Sequence, residues 1–259
     1  MRLDSSIAAI VTGGASGLGL GTVKALRALG VKVAIFDRNP ETGEKMAAET
    51  GSLFCEADVM SEDSLDAAFA KARAAHGQER ALVACAGGGN AFTTIRKDKE
   101  TGEIKRFPTA DFARVVALNA VGTFATITRF AQGVAEAELI DGERGAIVCT
   151  ASAAAQDGQQ GQAAYSAGKA AIIGMTLPIA RDLSRYGIRI NTILPGIFDT
   201  PAMAGATSAM RESLGASVLY PKRMGDASEY ASLAVELIRN GYFNAESIRL
   251  DGGIRMGVR

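Results

Sequence analysis

The sequence predicts a single doubly wound α/β domain, a seven-stranded parallel sheet with helices on both faces, and three observations carry that prediction. Short apolar runs recur at 7–11, 31–36, 53–57, 81–85, 145–150, 188–194 and 247–250, the length and composition of strands buried on both faces. Helical patterns separate them, with no linker-like or low-complexity break. The 30 glycines among 259 residues exceed the usual share of about 7% and gather just past strand ends, where tight strand-to-helix turns need them. One domain spanning 1–259 with right-handed crossovers is the expected result.

Composition excludes several functions. Apolar residues at 47% supply a large core, and the 28 basic residues balance 28 acidic ones. Nothing in that balance recruits nucleic acid or an anionic membrane. The first six residues lack the apolar core of a signal peptide, and no unbroken apolar run reaches membrane length. Cys55, Cys85 and Cys149 form an odd set without a C-x-x-C pair, so reduced, mostly buried thiols and a cytoplasmic location are expected. His76 is the only histidine. It precedes Gly77 at a helix end, where a solvated C-terminal cap is expected, and no metal site is expected.

Along the chain, the first strand feeds Thr12-Gly13-Gly14-Ala15-Ser16-Gly17-Leu18-Gly19 and then a helical pattern through Val23, Leu26 and Leu29 that stops at Gly30. Strand, glycine turn and helix are the context a dinucleotide fingerprint requires, because glycine lets the backbone approach a pyrophosphate and the helix start offers free N–H groups. The bland alternative is a flexible glycine-rich turn. The second strand ends at Asp37, whose carboxylate can accept hydrogen bonds from adenosine ribose hydroxyls and repels a 2′-phosphate, favouring NAD; the adjacent Arg38 pulls the other way. Taken alone, Asp37 could equally be a solvated strand end.

The third strand is followed by Asp58 and Val59, with Ser61 as N-cap of a helix to about His76. The fourth runs into Cys85-Ala86-Gly87-Gly88-Gly89, a second glycine cluster at a carboxyl strand end, where ligands sit in open parallel sheets. A polar insertion over 92–107 carries Arg96, Lys97, Lys99, Lys105 and Arg106 against Asp98, Glu100 and Glu103, with a hairpin or loop tip at Glu100-Thr101-Gly102-Glu103. It is either a solvated insertion or a contact surface for an anionic ligand. Thr109 is expected to cap a long helix in which Asn119 sits midway, so that amide faces solvent or has a job. Ser152 follows the fifth strand, and about Gln162 a helix opens that carries Tyr165 and Lys169 one turn apart on one face. An ammonium there favours the phenolate of a group whose ordinary pKa is about 10. After Pro195 and Gly196 comes a Met- and Ala-rich, partly helical lid over roughly 196–224; Asp226 caps the last helix.

Together, Thr12-Gly13-x-x-x-Gly17-x-Gly19, Asn119, Ser152, Tyr165-x-x-x-Lys169 and Pro195-Gly196 resemble the short-chain dehydrogenase/reductase family, a Rossmann-fold family, over essentially the whole chain. Within it, the runs 11–20, 161–167, 174–183 and 248–256 resemble the type-2 short-chain 3-hydroxyacyl-CoA dehydrogenases, also described as multifunctional 17β-hydroxysteroid dehydrogenases, as does the polar insertion.

The resemblance implies that Tyr165 is the catalytic acid/base, that Ser152 holds the substrate oxygen, that Lys169 lowers the tyrosine pKa and holds the nicotinamide ribose, and that Asn119 anchors a water in a proton relay to Lys169. It implies NAD bound along Gly13, Ser16, Gly17, Leu18, Gly19, Asp37, Asp58, Val59, Cys85, Ala86, Gly87, Tyr165, Lys169, Pro195, Phe198 and Thr200, and a homotetramer. Two departures stand out. The family commonly has Asn-Asn-Ala-Gly where this chain has Ala84-Cys85-Ala86-Gly87, losing an asparagine that ties strands together, and Gly168 replaces a more usual serine.

The expected substrate is a 3-hydroxyacyl-CoA. The basic insertion would meet CoA phosphates, Met203, Met210, Leu214 and Leu219 of the lid would meet an acyl chain, and Gln159 and Gln162 would lie by the thioester. A hydroxysteroid or other hydrophobic alcohol is the alternative. A non-catalytic nucleotide-binding scaffold is a remote one, disfavoured because the Asn, Ser, Tyr and Lys set is complete.

Overall fold

Five consecutive buried residues make β1 (Ala8–Thr12) a strand covered on both faces. It therefore belongs inside the sheet rather than at an edge. The computed structural model describes residues 1–259 apart from Asn90, Ala204 and Arg259. In it β1 is hydrogen-bonded on one side to β2 (Lys32–Asp37) and on the other to β4 (Ala81–Ala84). With β3 (Leu53–Glu56), β7 (Gly145–Thr150), β8 (Ile188–Pro195) and β9 (Ser247–Leu250), the parallel sheet has the order β3-β2-β1-β4-β7-β8-β9. Strand order reverses between β1 and β4. Both glycine clusters of the sequence follow those two strands, so they meet at the switch point where such sheets bind ligands.

Side chains alternate across the sheet. Ala9 and Val11 join the core under α1 (Gly17–Ala28), α2 (Pro40–Thr50) and α8 (Ala227–Arg239), with Val23, Leu26, Ala47, Tyr230 and Leu237. Ile10 faces the opposite core under α3 (Glu62–His76), α5 (Gly122–Val134) and α6 (Ala163–Ser184), with Leu65, Phe69, Phe130 and Ile172. Phe130 is wholly buried, and truncating such a ring to alanine costs about 3–5 kcal/mol. Helix ends follow local chemistry. Ser61 accepts from Ser64 N at 3.3 Å, and Asp226 forms a reciprocal capping box with Glu229.

The expected hairpin in the polar insertion is present, and three other features differ from the sequence expectations for physical reasons. The polar insertion carries a separate antiparallel hairpin, β5 (Ile95–Lys97) paired with β6 (Ile104–Arg106), turning at Asp98, which accepts from Glu100 N and Thr101 N. Pro108, not Thr109, is the N-cap of α4 (Thr109–Val116), and the helix is not continuous: a π-helical turn over Ala117–Val121 joins α4 to α5. Asn119 Nδ2 donates to Val115 O at 2.8 Å, taking a carbonyl that a regular ladder would use. His76 ends α3 as expected but is only partly solvated: its Nδ1 is buried without a hydrogen-bond partner, and burial lowers its pKa. Finally, the helical run 109–134 is long and apolar enough to cross a membrane by length and composition. Val115, Ile127, Phe130 and Val134 on its inner side pack into the fold.

The lid contains a 3-10 turn at Pro201–Met203 and α7 (Ser208–Ser217), capped by Thr207. Arg211 ties it down by an ion pair with Asp199 and a 2.9 Å bond to Met203 O.

Candidate active site

The first glycine turn is built for close approach. Gly13 and Gly17 have φ of 63° and 51°, conformations that penalise any side chain. A Cβ on Gly13 would lie 2.9 Å from Ala86 N, and one on Gly19 would lie 2.1 Å from Gly13 O. The turn therefore packs its backbone against both the start of α1 and the loop after β4. Ser16 precedes α1 without a side-chain cap bond, and the first helical turn has no acidic residue, a favourable end for an anion. Leu18 is half-buried in the α1–α8 core. Asp37 closes the turn, accepting from Ala15 N at 3.2 Å through one carboxylate oxygen and from Asn39 N at 3.1 Å through the other.

On the facing wall Ala86 N donates to Thr12 Oγ1 at 3.1 Å and Cys85 N to Thr12 O at 3.1 Å. These bonds tie β4 to β1 although Ala84 offers no amide. Thr200 stands against Gly17, its Cβ 3.4 Å from where a Cβ would project. Phe198 has its ring buried on Gly225 and within the core, so only its backbone can face a ligand. Asp58 is exposed and turns onto Met60 N, while Val59 is buried against Gly122. Pro195 ends β8. The positive-φ cradle, the uncapped helix end and the carboxylate at the end of β2 fit a dinucleotide.

The residues for chemistry converge across three elements. Ser152 is buried; its Oγ accepts from Ala154 N at 3.1 Å, and Ser152 is the group that favours the Tyr165 phenolate. Lys169 is buried, and its Nζ donates to Thr150 O at 2.7 Å and lies 5.9 Å from the Tyr165 ring centroid. Asn119, fully buried, donates from Nδ2 to Gly88 O at 2.6 Å and accepts from Gly88 N at 3.2 Å, so the mid-helix amide has partners and does not face solvent.

The second glycine cluster gives these side chains room. A Cβ on Gly87 would sit 2.7 Å from Asn119 Oδ1 and 3.0 Å from Lys169 Nζ, and one on Gly89 would sit 2.7 Å from Tyr165 Cδ2. Gly168 belongs to the same packing, since a Cβ there would meet Asn119 Cβ at 3.0 Å. Sequence reasoning read Gly168 only as a departure, although glycine inside a helix is itself a signal of close packing.

The electrostatics correct one expectation. Burial raises the Tyr165 pKa, opposed by the Ser152 hydrogen bond, and Lys169 is not among the groups that lower it. Lys169 itself is pulled down to about 8 by burial, partly offset by Cys85 and Cys149. The ammonium is spent on the Thr150 carbonyl rather than on the phenol, so the protein alone keeps Tyr165 protonated.

An open cleft lies between the hairpin and the loop before α6, lined by Thr93, Ile95, Gln159, Gly161 and Ser166 among others. Gln159 is at that cleft. Gln162 turns inward instead, its Oε1 accepting from Gln159 N at 2.9 Å, so it shapes the loop. In the lid, Met210 and Leu219 are exposed while Met203 and Leu214 are half-buried. All three cysteines are free thiols; Cys55 and Cys149 are buried and Cys85 partly so. Among the described residues no cluster of metal-binding side chains occurs.

Comparison with known proteins agrees with this geometry. The profile of the short chain dehydrogenases matches residues 7–211. The chain is 45% identical over 251 residues to the 3-hydroxyacyl-CoA dehydrogenase type-2 of Drosophila melanogaster, covering 95% of this chain and 96% of that one. It is 43% identical over 261 residues to the Homo sapiens protein of the same name, covering 98% and 97%. The crystal structure of 3-hydroxyacyl-CoA dehydrogenase type-2 from Mycobacterium avium superposes with a TM-score of 0.93 at 40% identity over the full length of both chains. With a switch-point cradle, Tyr165 set between buried Ser152 and Lys169, and these relatives, the chain belongs to the short-chain dehydrogenase family and is an oxidoreductase.

Proposed function

We propose that this protein is an NAD-dependent dehydrogenase that interconverts 3-hydroxyacyl-CoA and 3-ketoacyl-CoA. The observation that carries the reading is the convergence of Ser152 and Tyr165 with buried Lys169 and Asn119 at the mouth of a dinucleotide cradle. The near full-length likeness to proteins named for that activity supports the substrate class.

Gly13, Gly17 and Gly19 would pass the pyrophosphate close to the start of α1, with Ser16 and Leu18 alongside. Asp37 would take the adenosine ribose hydroxyls; its carboxylate repels a 2′-phosphate, which favours NAD over NADP. Asp58, Val59, Cys85, Ala86 and Gly87 would line the adenine and ribose side, and Pro195, Phe198 and Thr200 the nicotinamide end. When bound, NAD supplies the hydride acceptor and a positive charge beside the phenol. Ser152 holds the substrate hydroxyl and stabilises its oxygen as charge develops. Tyr165 takes the hydroxyl proton in oxidation and returns it in reduction. Lys169 holds the ribose and, with Asn119, borders the space over Gly87 through which a water relay would run.

Four exposed cations of the insertion, Arg96, Lys97, Lys99 and Arg106, support contact with CoA phosphates. Lys105 is committed to Asp98 at 2.6 Å, and the Arg96 guanidinium lies over Phe92, 4.4 Å from its centroid. The half-buried Met203 and Leu214 support an apolar acyl path, and the same surface favours a hydrophobic alcohol such as a hydroxysteroid as the second reading. The exposed Phe112, Val121 and Phe124 on the outer side of the helical run 109–134 support subunit contacts in a homotetramer, checked by sedimentation. NADH oxidation with acetoacetyl-CoA, longer 3-ketoacyl-CoAs and a ketosteroid tests the substrate. A kcat/KM for the ketosteroid above that for every acyl-CoA would overturn the acyl-CoA assignment.

A further inference from the structure

Behind the site, a buried ring of three polar groups crosses the sheet at the ends of β4 and β7. Tyr230 of α8 is fully buried, and its hydroxyl lies 2.6 Å from Thr150 Oγ1. Thr150 Oγ1 donates to Cys85 Sγ at 3.4 Å, and Cys85 Sγ donates to the Tyr230 hydroxyl at 3.6 Å. The ring closes when Tyr230 donates to Thr150, so each group gives one hydrogen and takes one.

The two faces of the sheet meet at this point. Tyr230 packs in the core under α1 and α8, whereas Lys169 projects from α6 on the opposite face. Thr150 is shared: its side chain is in the ring, and its carbonyl accepts the Lys169 ammonium at 2.7 Å. Cys85 is shared too, because its backbone forms the wall opposite the first glycine turn. A buried phenol costs free energy unless paired, and phenylalanine would fill an apolar core without that cost. The hydroxyl therefore has a role other than packing.

We propose that Tyr230 is a positioning residue for Lys169, fixing Thr150 from behind the sheet and holding Cys85 in the wall of the dinucleotide cradle. The assignment rests on the functional reading only in taking Lys169 as part of the working site. The titratable groups facing Lys169 are Tyr165 on its own helix, Cys85 after β4 and Cys149 of β7; those facing Tyr230 are Cys85 and Cys149. None of them is a carboxylate. The Thr150 carbonyl is therefore the hydrogen-bond partner that favours the charged lysine, and loosening it lowers the lysine's titration midpoint.

The test compares Tyr230→Phe, Thr150→Val and the double variant, measuring kcat against pH and, by fluorescence, NADH affinity against pH. Each single variant is expected to lower kcat about tenfold and to move the midpoint of the alkaline limb down by about one pH unit in both profiles. The double variant is expected to be no worse than either single one, because both break the same tie. Lower melting temperatures with unmoved midpoints, or losses that add in the double variant, would overturn the assignment. Thr150→Val keeps the carbonyl and decides the matter if Tyr230→Phe does not fold. The affinity profile needs no turnover, so a wild-type chain inactive on every 3-ketoacyl-CoA would sink the substrate reading while still deciding the role of Tyr230.

Discussion

The buried centre and its exposed border are held in opposite ways. Asn119, Ser152 and Lys169 are at most 6% exposed, and each makes a hydrogen bond, Asn119 and Lys169 to another element or loop and Ser152 to the turn it caps. Glycines at 87, 89 and 168 let them meet without a Cβ between. The hairpin and the lid instead carry exposed Ile95, Ile104, Met210 and Leu219, and their ion pairs, Lys105–Asp98 and Arg211–Asp199, are local. In the proposed function, proton handling sits where packing leaves one arrangement, and substrate choice would sit where side chains can change without disturbing the sheet.

The sharpest way to break this contrast is at the centre. Tyr165→Phe removes the acid/base and should lower kcat about a thousandfold while NADH affinity, followed by fluorescence, stays measurable; retained turnover would contradict the assignment. Gly89→Ala places a Cβ 2.7 Å from Tyr165 Cδ2. Since misplacing a catalytic group by about 1 Å costs about a hundredfold, kcat should fall by that order with NADH affinity little changed.

Lys169 offers a test through stability. Burial depresses its pKa from 10.5 to about 8, so between those values the folded chain binds fewer protons than the unfolded chain and stability rises with pH. The cost is fully present below about pH 8 and vanishes above the unfolded value. Lys169→Met should therefore stabilise the fold by about 1–3 kcal/mol at pH 7, a gain that shrinks on titration toward pH 10, while abolishing turnover. Denaturant midpoints at the two pH values measure it; a gain that grew with pH would refute the sign.

At the border, neutralising Arg96, Lys97 and Lys99 to glutamine should raise KM for acetoacetyl-CoA about tenfold and leave kcat within twofold, each exposed charge contributing up to about 1 kcal/mol. An unchanged KM would remove the insertion from the CoA site. The smallest effect is expected at Gly174, an exposed position in α6 where an added Cβ meets nothing within 4 Å. Alanine there should stabilise the helix by up to about 1 kcal/mol and leave kcat unchanged.

Much of this was legible in the residues because their signals are local. Each strand of the main sheet is an apolar run between turns, and the glycines at 13, 17 and 19 stand in a strand–turn–helix context. Ser61 and Asp226 announced their helix starts. What stayed hidden depends on contacts distant in sequence. Nothing near Gly168 shows that Asn119 will press on it, and Tyr230 reads as one more core aromatic until Thr150, 80 residues away, meets its hydroxyl. The direction of the Tyr165 shift was misread because spacing on a helix tells which side chains are neighbours, not which partner the ammonium chooses.

The π-helical turn at Ala117–Val121 also has a meaning for the chain as a ruler. Such a turn houses one residue more than a regular helix would over the same rise. Deleting a single residue there other than Asn119 would let the helix close into an unbroken ladder, with the segments on either side still in phase. Phe130 and Val134 would keep their places in the core, while the Val115 carbonyl that the Asn119 side chain now holds would return to the ladder. The extra residue therefore serves the site rather than the core, and such a deletion should lower activity while leaving the fold intact.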